Sequence, residues 1–198
     1  GARGRSHVTT SSRRDFTLDR WLAHFETLHP KKIDMGLERL ITMLERLGLR
    51  TPHAKVITVA GTNGKGSCVA VLEALLRAGG HRVGTFTSPH LLDYRERIRV
   101  DGRWVSDASL VAAFERIADA RGDDSLTFFE YNTLAALLVF ETAAPDVIVL
   151  EVGLGGRLDA VNVVAADVAV VVSVGLDHMD WLGPDIESAQ RASRALAE

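Results

Sequence analysis

The sequence predicts an α/β fold: a three-layer, P-loop-type domain with a mostly parallel sheet and a small β-hairpin. Three features carry that expectation. A β-branched run, Val56–Ala60, leads directly into a glycine loop and then a helical stripe. Two later runs, Asp146–Val152 and Val168–Val174, are predominantly apolar, as strands buried on both faces are. Apolar residues at helical spacing separate these runs, so helices connect parallel strands and cover the sheet.

In chain order, residues 1–15 are small, polar and basic and read as a disordered tail or an expression remnant, outside the fold. Leu18 to Leu28 and Leu37 to Leu47 have helical periodicity, with Pro30 and Gly48 near their ends, and are expected to cover one face of the sheet. After the glycine loop, Val69, Leu72, Leu75 and Leu76 form a stripe that stops at Gly79-Gly80, and Arg82–Thr87 reads as the next strand. Ile98–Val100 and Trp104–Val105 flank Asp101-Gly102, a pair that tolerates positive φ and suits a tight hairpin turn. Helices are expected at Ala108–Ala120 and Phe129–Thr142.

Composition sets the outer bounds. The chain has 198 residues, 46% of them hydrophobic, with 23 Lys plus Arg against 26 Asp plus Glu. It has enough apolar content to build a core, which excludes disordered and collagen-like classes. A formal charge of -3 argues against broad capture of nucleic acid or anionic membrane, so neither is an expected partner. The single cysteine, Cys68, cannot form an internal disulfide, and no apolar stretch reaches the roughly 18–20 residues that span a bilayer. A soluble, cytoplasmic protein is the expectation; its oligomeric state is not legible.

The segment Gly61-Thr62-Asn63-Gly64-Lys65-Gly66-Ser67 carries the strongest chemistry. A strand-to-helix loop leaves backbone N–H groups unpaired at the positive end of a helix dipole, where an anion binds. The glycines permit close approach to phosphate, Lys65 brings a positive charge, and Ser67 offers a hydroxyl to phosphate or metal. Val59 stands where the common P-loop has its first glycine, and Gly66 separates Lys65 from Ser67. The plain alternative is a glycine turn with a surface lysine; the flanking strand and helix favour a nucleotide triphosphate.

Ligands collect at the carboxyl ends of strands in open α/β sheets. Ser88, Glu151 and His178 each follow or end an apolar run, and hydroxyl, carboxylate and imidazole together describe a divalent-ion site. Ser88 before Pro89 equally suits a turn, Glu151 a salt bridge and His178 a loop or cap, with Asp177 and Asp180 competing for the role of His178. His7, His24, His29, His53, His81 and His90 read as surface or structural, and Cys68 as a small core residue.

Several segments together resemble one family. They are Ile33–Arg39, Thr58–Ser67, Thr87–Leu91, Glu96–Val100, Ser125–Tyr131, Leu150–Ala160 and Leu176–Gly183. The resemblance, from about Trp21 to Ser188, is to the folylpolyglutamate synthases, and within them to the bacterial bifunctional dihydrofolate synthase/folylpolyglutamate synthase group of the Mur ligase superfamily. It implies an ATP-dependent carbon–nitrogen ligase that joins L-glutamate to dihydropteroate or to the glutamate tail of reduced folates through an acyl phosphate. It also implies ATP and Mg²⁺ as cofactors, with a response to monovalent cations. By that resemblance Ser88, Glu151 and His178 serve the metal; Lys65, Glu151 and His178 form the catalytic set; and Phe129, Asp159 and Ala160 meet the pterin-containing substrate.

The resemblance implies that residues 16–198 are a truncated N-terminal ATP-binding domain, with the C-terminal glutamate-ligase domain absent. Two departures bear on competence. Ala192-Ser193-Arg194 stands where the family carries a metal-bridging lysine, and Val161 replaces a threonine. The alternatives are a nucleotide-binding fragment without turnover, a cell-wall Mur ligase, and a noncatalytic regulatory protein.

Overall fold

The computed structural model describes residues 16–25, 37–49, 52–153 and 159–173. Their elements run α1 (Leu18–Phe25), α2 (Glu38–Leu47), β1 (Lys55–Ala60), α3 (Lys65–Ala78), β2 (Val83–Phe86), β3 (Ile98–Val100), β4 (Arg103–Trp104), α4 (Asp107–Arg121), α5 (Phe128–Ala143), β5 (Val147–Glu151) and β6 (Val168–Val171). Two short 3₁₀ turns, Tyr94–Arg97 and Ala160–Val163, complete them. The expected tail 1–15, residues 26–28, Val174, His178 and Ser193 lie outside the described residues.

The strands form one sheet in the order β4-β3-β2-β5-β1-β6. β2, β5, β1 and β6 are mutually parallel, while β3 and β4 extend the sheet as an antiparallel hairpin. Asp101 (φ 51°) and Gly102 (φ 75°) make its turn, as the sequence expects of this pair. The register sets Phe86 opposite Leu150, and Val59 opposite both Glu151 and Val170. Parallel pairing therefore brings the carboxyl ends of four strands to one edge of the sheet. The loop at 61–64, Ser88 and Glu151 all emerge there.

The faces of the sheet are covered unequally. α3 lies on one face, where Val59, Val69, Val83, Val147 and Val149 form a small valine core. α5 lies on the other, and its middle from Glu130 to Phe140 is entirely buried. Its start is fixed by a capping box: Thr127 Oγ1 accepts from Glu130 N–H (3.1 Å) while the Glu130 carboxylate accepts from Thr127 N–H (2.7 Å). Arg39 then closes an ion pair with the same carboxylate at 2.8 Å.

α1 and α2 do not cover the sheet as expected. They pack on α4 and α5, so α5 is sandwiched between the sheet and an outer helical layer. Hydrophobic periodicity reveals that a helix has an apolar face but not which apolar surface it meets. Here the partners are rings: Phe25 lies 4.6 Å from Tyr131 and 4.8 Å, edge-on, from Phe114, with Trp21 beside all three. Such pairs contribute about 0.5–1.5 kcal/mol each beyond their burial.

Candidate functional site

The glycine loop is held by the end of the neighbouring strand. Ser173, just past β6, accepts Thr62 N–H on its carbonyl (2.8 Å) and Asn63 N–H on Oγ (3.1 Å), and its hydroxyl donates to the Asn63 carbonyl at 2.9 Å. Gly61 (φ 139°) makes this closeness possible, because a Cβ there would lie 2.7 Å from the Ser173 carbonyl oxygen. Gly64 (φ 83°) is the N-cap of α3 and supplies no side-chain cap. Among the described residues the first-turn N–H groups of Lys65, Gly66 and Ser67 consequently remain open, at the positive end of a 14-residue helix. Lys65 folds back, its Nζ donating to the Gly61 carbonyl (2.9 Å) and the Thr62 carbonyl (3.4 Å), which holds the ammonium over the loop.

A carboxylate faces this loop. Glu151 ends β5 and is only 4% exposed. Its Oε2 accepts the backbone N–H of Ser88 at 2.9 Å, tying together the ends of β5 and β2. Both of its oxygens stand 3.9 Å from where a Cβ on Gly66 would begin, so a side chain at that position would enter the space between carboxylate and loop. Burial raises the Glu151 pKa; the Ser88 N–H, then the charges of Lys65 and Arg97, pull it back. No salt bridge is formed by Glu151 among the described residues, which leaves its remaining lone pairs for a ligand. Hydroxyl and carboxylate oxygens suit a hard divalent cation.

The loop residues, Ser88 and Glu151 are thus gathered at one edge of the sheet, whereas His178 lies outside the described residues. Among the described residues no three His, Cys, Asp or Glu side chains come together in a metal-binding group. Phe129, in the first turn of α5, lies against Phe86, with ring centroids 5.7 Å apart, and Gly153 gives it room, since a Cβ there would fall 2.6 Å from the ring. Asp159 is buried and caps the 3₁₀ turn through Val161 N–H at 3.1 Å. Ala160 is buried beside it, and this turn packs against α5.

Two residues at this edge have no assigned chemistry in the sequence reading. Arg97, in the segment Glu96–Val100, is buried and donates from Nε to His90 Nδ1 at 2.8 Å. Its guanidinium lies over the rings of Phe128 (5.3 Å) and Tyr94 (5.7 Å). The loop between β2 and the 3₁₀ turn that carries them is braced by Glu96, whose carboxylate accepts the backbone N–H groups of Leu91, Leu92 and Asp93 at 2.8–3.0 Å. The spacing His90-to-Arg97 matches no regular element, so only the folded loop brings the pair together. A separate cavity of about 990 Å³ lies at the opposite ends of the strands, lined by Leu44, Ala54, Phe140 and Asp146 among others. It contains neither the glycine-loop residues nor Glu151.

A family model of the Mur ligase middle domain matches residues 59–197. The chain is 56% identical over 171 residues to dihydrofolate synthase/folylpolyglutamate synthase of Escherichia coli K12, an alignment covering 86% of this chain and 40% of that protein. Its counterpart in Haemophilus influenzae is 47% identical over 86% of this chain and 39% of the relative. Among solved structures, E. coli FolC in complex with DHPP and ADP superposes with a TM-score of 0.89 at 53% identity, covering 92% of this chain and 44% of that one. The Yersinia pestis bifunctional folylpolyglutamate synthase/dihydrofolate synthase complexed with AMPPNP and Mn ion gives 0.85 at 51% identity, covering 92% and 44%. The chain spans about two fifths of the length of the relatives it matches. Its parallel sheet, its glycine loop and the match across residues 59–197 place it in the Mur ligase middle-domain family.

Proposed function

We propose that this chain is the ATP-binding portion, residues 16–198, of a bifunctional dihydrofolate synthase/folylpolyglutamate synthase. The reaction is ATP-dependent amide formation, joining L-glutamate to dihydropteroate or to the glutamate tail of a reduced folate. The observation that carries this reading is the buried Glu151 carboxylate facing the glycine loop across the missing side chain of Gly66. E. coli FolC binding DHPP and ADP, and the Y. pestis relative binding AMPPNP and Mn, support it.

In this reading the open N–H groups of Lys65, Gly66 and Ser67 receive the phosphate tail of ATP, and the Lys65 ammonium leaves its loop carbonyls to meet the same charge. Ser88, Glu151 and His178 would hold a magnesium ion, whose role when bound is to neutralise and align phosphate oxygens. A carboxylate resists attack by an amine because it is anionic and has no good leaving group. Transfer of the γ-phosphoryl group to the substrate carboxylate supplies one, and the glutamate amine then displaces phosphate. Phe129 offers a ring face to the pterin, with Asp159 and Ala160 beside it. The protein residues act by position and charge, without a covalent nucleophile.

The test uses the full open reading frame that encodes this chain, incubated with ATP, Mg²⁺, dihydropteroate and glutamate. Dihydropteroate-dependent phosphate release and a product heavier by one glutamyl residue are expected. Nucleotide binding with no new amide would refute the ligase assignment in favour of a nucleotide-binding protein without turnover.

A further inference from the structure

Arg97 is a buried cation without an ionic partner among the described residues. It is 7% exposed, yet among the described residues no carboxylate forms a salt bridge with it, and the one hydrogen bond its guanidinium makes there is from Nε to the neutral Nδ1 of His90. Nη1 and Nη2 have no protein acceptor there, and neither is sealed from solvent. A guanidinium so placed has lost most of its hydration and has not regained it from the protein. Beside the Tyr94 hydroxyl, the carboxylate that acts on it is Glu151, through space and without a salt bridge, and Glu151 also feels the charge of Lys65.

The surroundings hold the guanidinium in a fixed orientation. His90 fixes Nε, and Phe128 and Tyr94 lie against the group. Tyr94 is itself held, its buried hydroxyl donating to Asn132 Oδ1 on α5. What remains is a planar pair of N–H-bearing nitrogens beside Phe128 and near Glu151. That fork matches the two oxygens of a carboxylate, which a lysine in its place would meet only as a point charge.

We propose that Arg97 receives the substrate carboxylate that is to be activated, through Nη1 and Nη2, with His90 as its positioning residue. The inference rests on the ligase reading and adds to it the group that recognises the reacting end of the pterin-containing substrate. Arg97 takes no part in bond making. It holds one carboxylate against Glu151's repulsion and keeps its oxygens oriented for phosphoryl transfer.

The experiment compares binding of dihydropteroate with that of its carboxamide by fluorescence titration, on the full open reading frame, with ADP binding and thermal melts as controls. The unsubstituted protein is expected to prefer the acid over the amide by about tenfold to a hundredfold, the range of a charge-assisted pair. Arg97→Gln should abolish that preference while leaving affinity for the amide and for ADP unchanged. Arg97→Lys should restore part of it, and serves as the test if the glutamine variant does not fold. His90→Ala should weaken acid binding several-fold, and add no further loss in the Arg97→Gln background.

Retention of the preference in Arg97→Gln, or equal binding of acid and amide by the unsubstituted protein, would overturn the assignment of Arg97 alone. Binding of neither pterin, with ADP still bound, would instead overturn the ligase reading and this inference with it.

Discussion

Replacing Gly61 by alanine tests how the phosphate loop is built. The new Cβ would sit 2.7 Å from the Ser173 carbonyl oxygen, 3.0 Å from its nitrogen and 3.3 Å from Val172 N. All three are backbone atoms, so no rotamer change relieves the clash. The backbone must separate instead, at the cost of Thr62 N–H to Ser173 (2.8 Å) and Val172 N–H to Ala60 (2.9 Å). Each lost bond costs about 0.5–1.5 kcal/mol, and a non-glycine residue at φ 139° adds about 1–3 kcal/mol. The sum is about 2–6 kcal/mol, or a melting temperature lower by about 4–24 °C for a domain of this size. Gly48→Ala is the control, since Gly48 also has positive φ (68°) but meets nothing within 4 Å. It should lower the melting temperature by only a few degrees and leave ADP affinity unchanged, whereas Gly61→Ala should also weaken ADP in calorimetric titration. Equal melts for the two variants, with ADP affinity intact in both, would refute the idea that the loop depends on this close approach.

Three other outcomes follow from the same structure. Lys65→Met should lower the melting temperature by only a few degrees, because Nζ gives up just its two contacts to loop carbonyls, while weakening AMPPNP binding by about tenfold or more; unchanged affinity would remove Lys65 from the phosphate site. Thr127→Ala should lower stability by about 1–2 kcal/mol through loss of the α5 cap, read as a melting temperature lower by about 2–8 °C, and an unaltered melt would contradict it. Hydrogen bonds from Arg95 hold Asp93 down from the usual 3.8 to about 2, so its stabilising contribution is complete above pH 3.8 and is lost as pH falls through 2. The gap in melting temperature between the parent and Asp93→Asn should therefore be constant above about pH 4 and close towards pH 2, and a gap independent of pH would contradict the assignment.

Contiguity decides what was legible in the sequence. β1, the glycine loop and α3 follow one another, so their periodicities and glycines reveal the unit directly. The hairpin turn at Asp101-Gly102 is equally local. Ser88 and Glu151 are 63 positions apart, and their hydrogen bond exists because β2 pairs with β5 in one register, with Phe86 opposite Leu150. Sequence pattern points to strand ends but does not give strand order, so it leaves Ser88 and Glu151 as separate candidates that only the sheet joins. The layer of α1 and α2 is not legible for a related reason: an apolar stripe fits a sheet or another helix equally well, and Trp21 and Phe25 meet the rings of α4 and α5.

His90 and Arg97 were the least legible. His90 read as surface or structural because a lone histidine in a loop has no pattern. Arg97 stood inside a recognised motif without a chemical role. Their pairing depends on the Asp93-capped 3₁₀ turn and on the Glu96 brace, neither of which has a sequence period. A buried arginine without a carboxylate is apparent only once burial is known.

The central claim is that the loop at Gly61–Ser67 and the strand-end residues Ser88 and Glu151 form one site for a metal–nucleotide complex. Diffraction from crystals grown with AMPPNP and Mn²⁺, collected at the manganese absorption edge, tests it directly. An anomalous peak is expected within coordinating distance, about 2.0–2.2 Å, of a Glu151 carboxylate oxygen, with the phosphates on the N–H groups of Lys65, Gly66 and Ser67. A nucleotide bound elsewhere, or manganese held without Glu151, would contradict it.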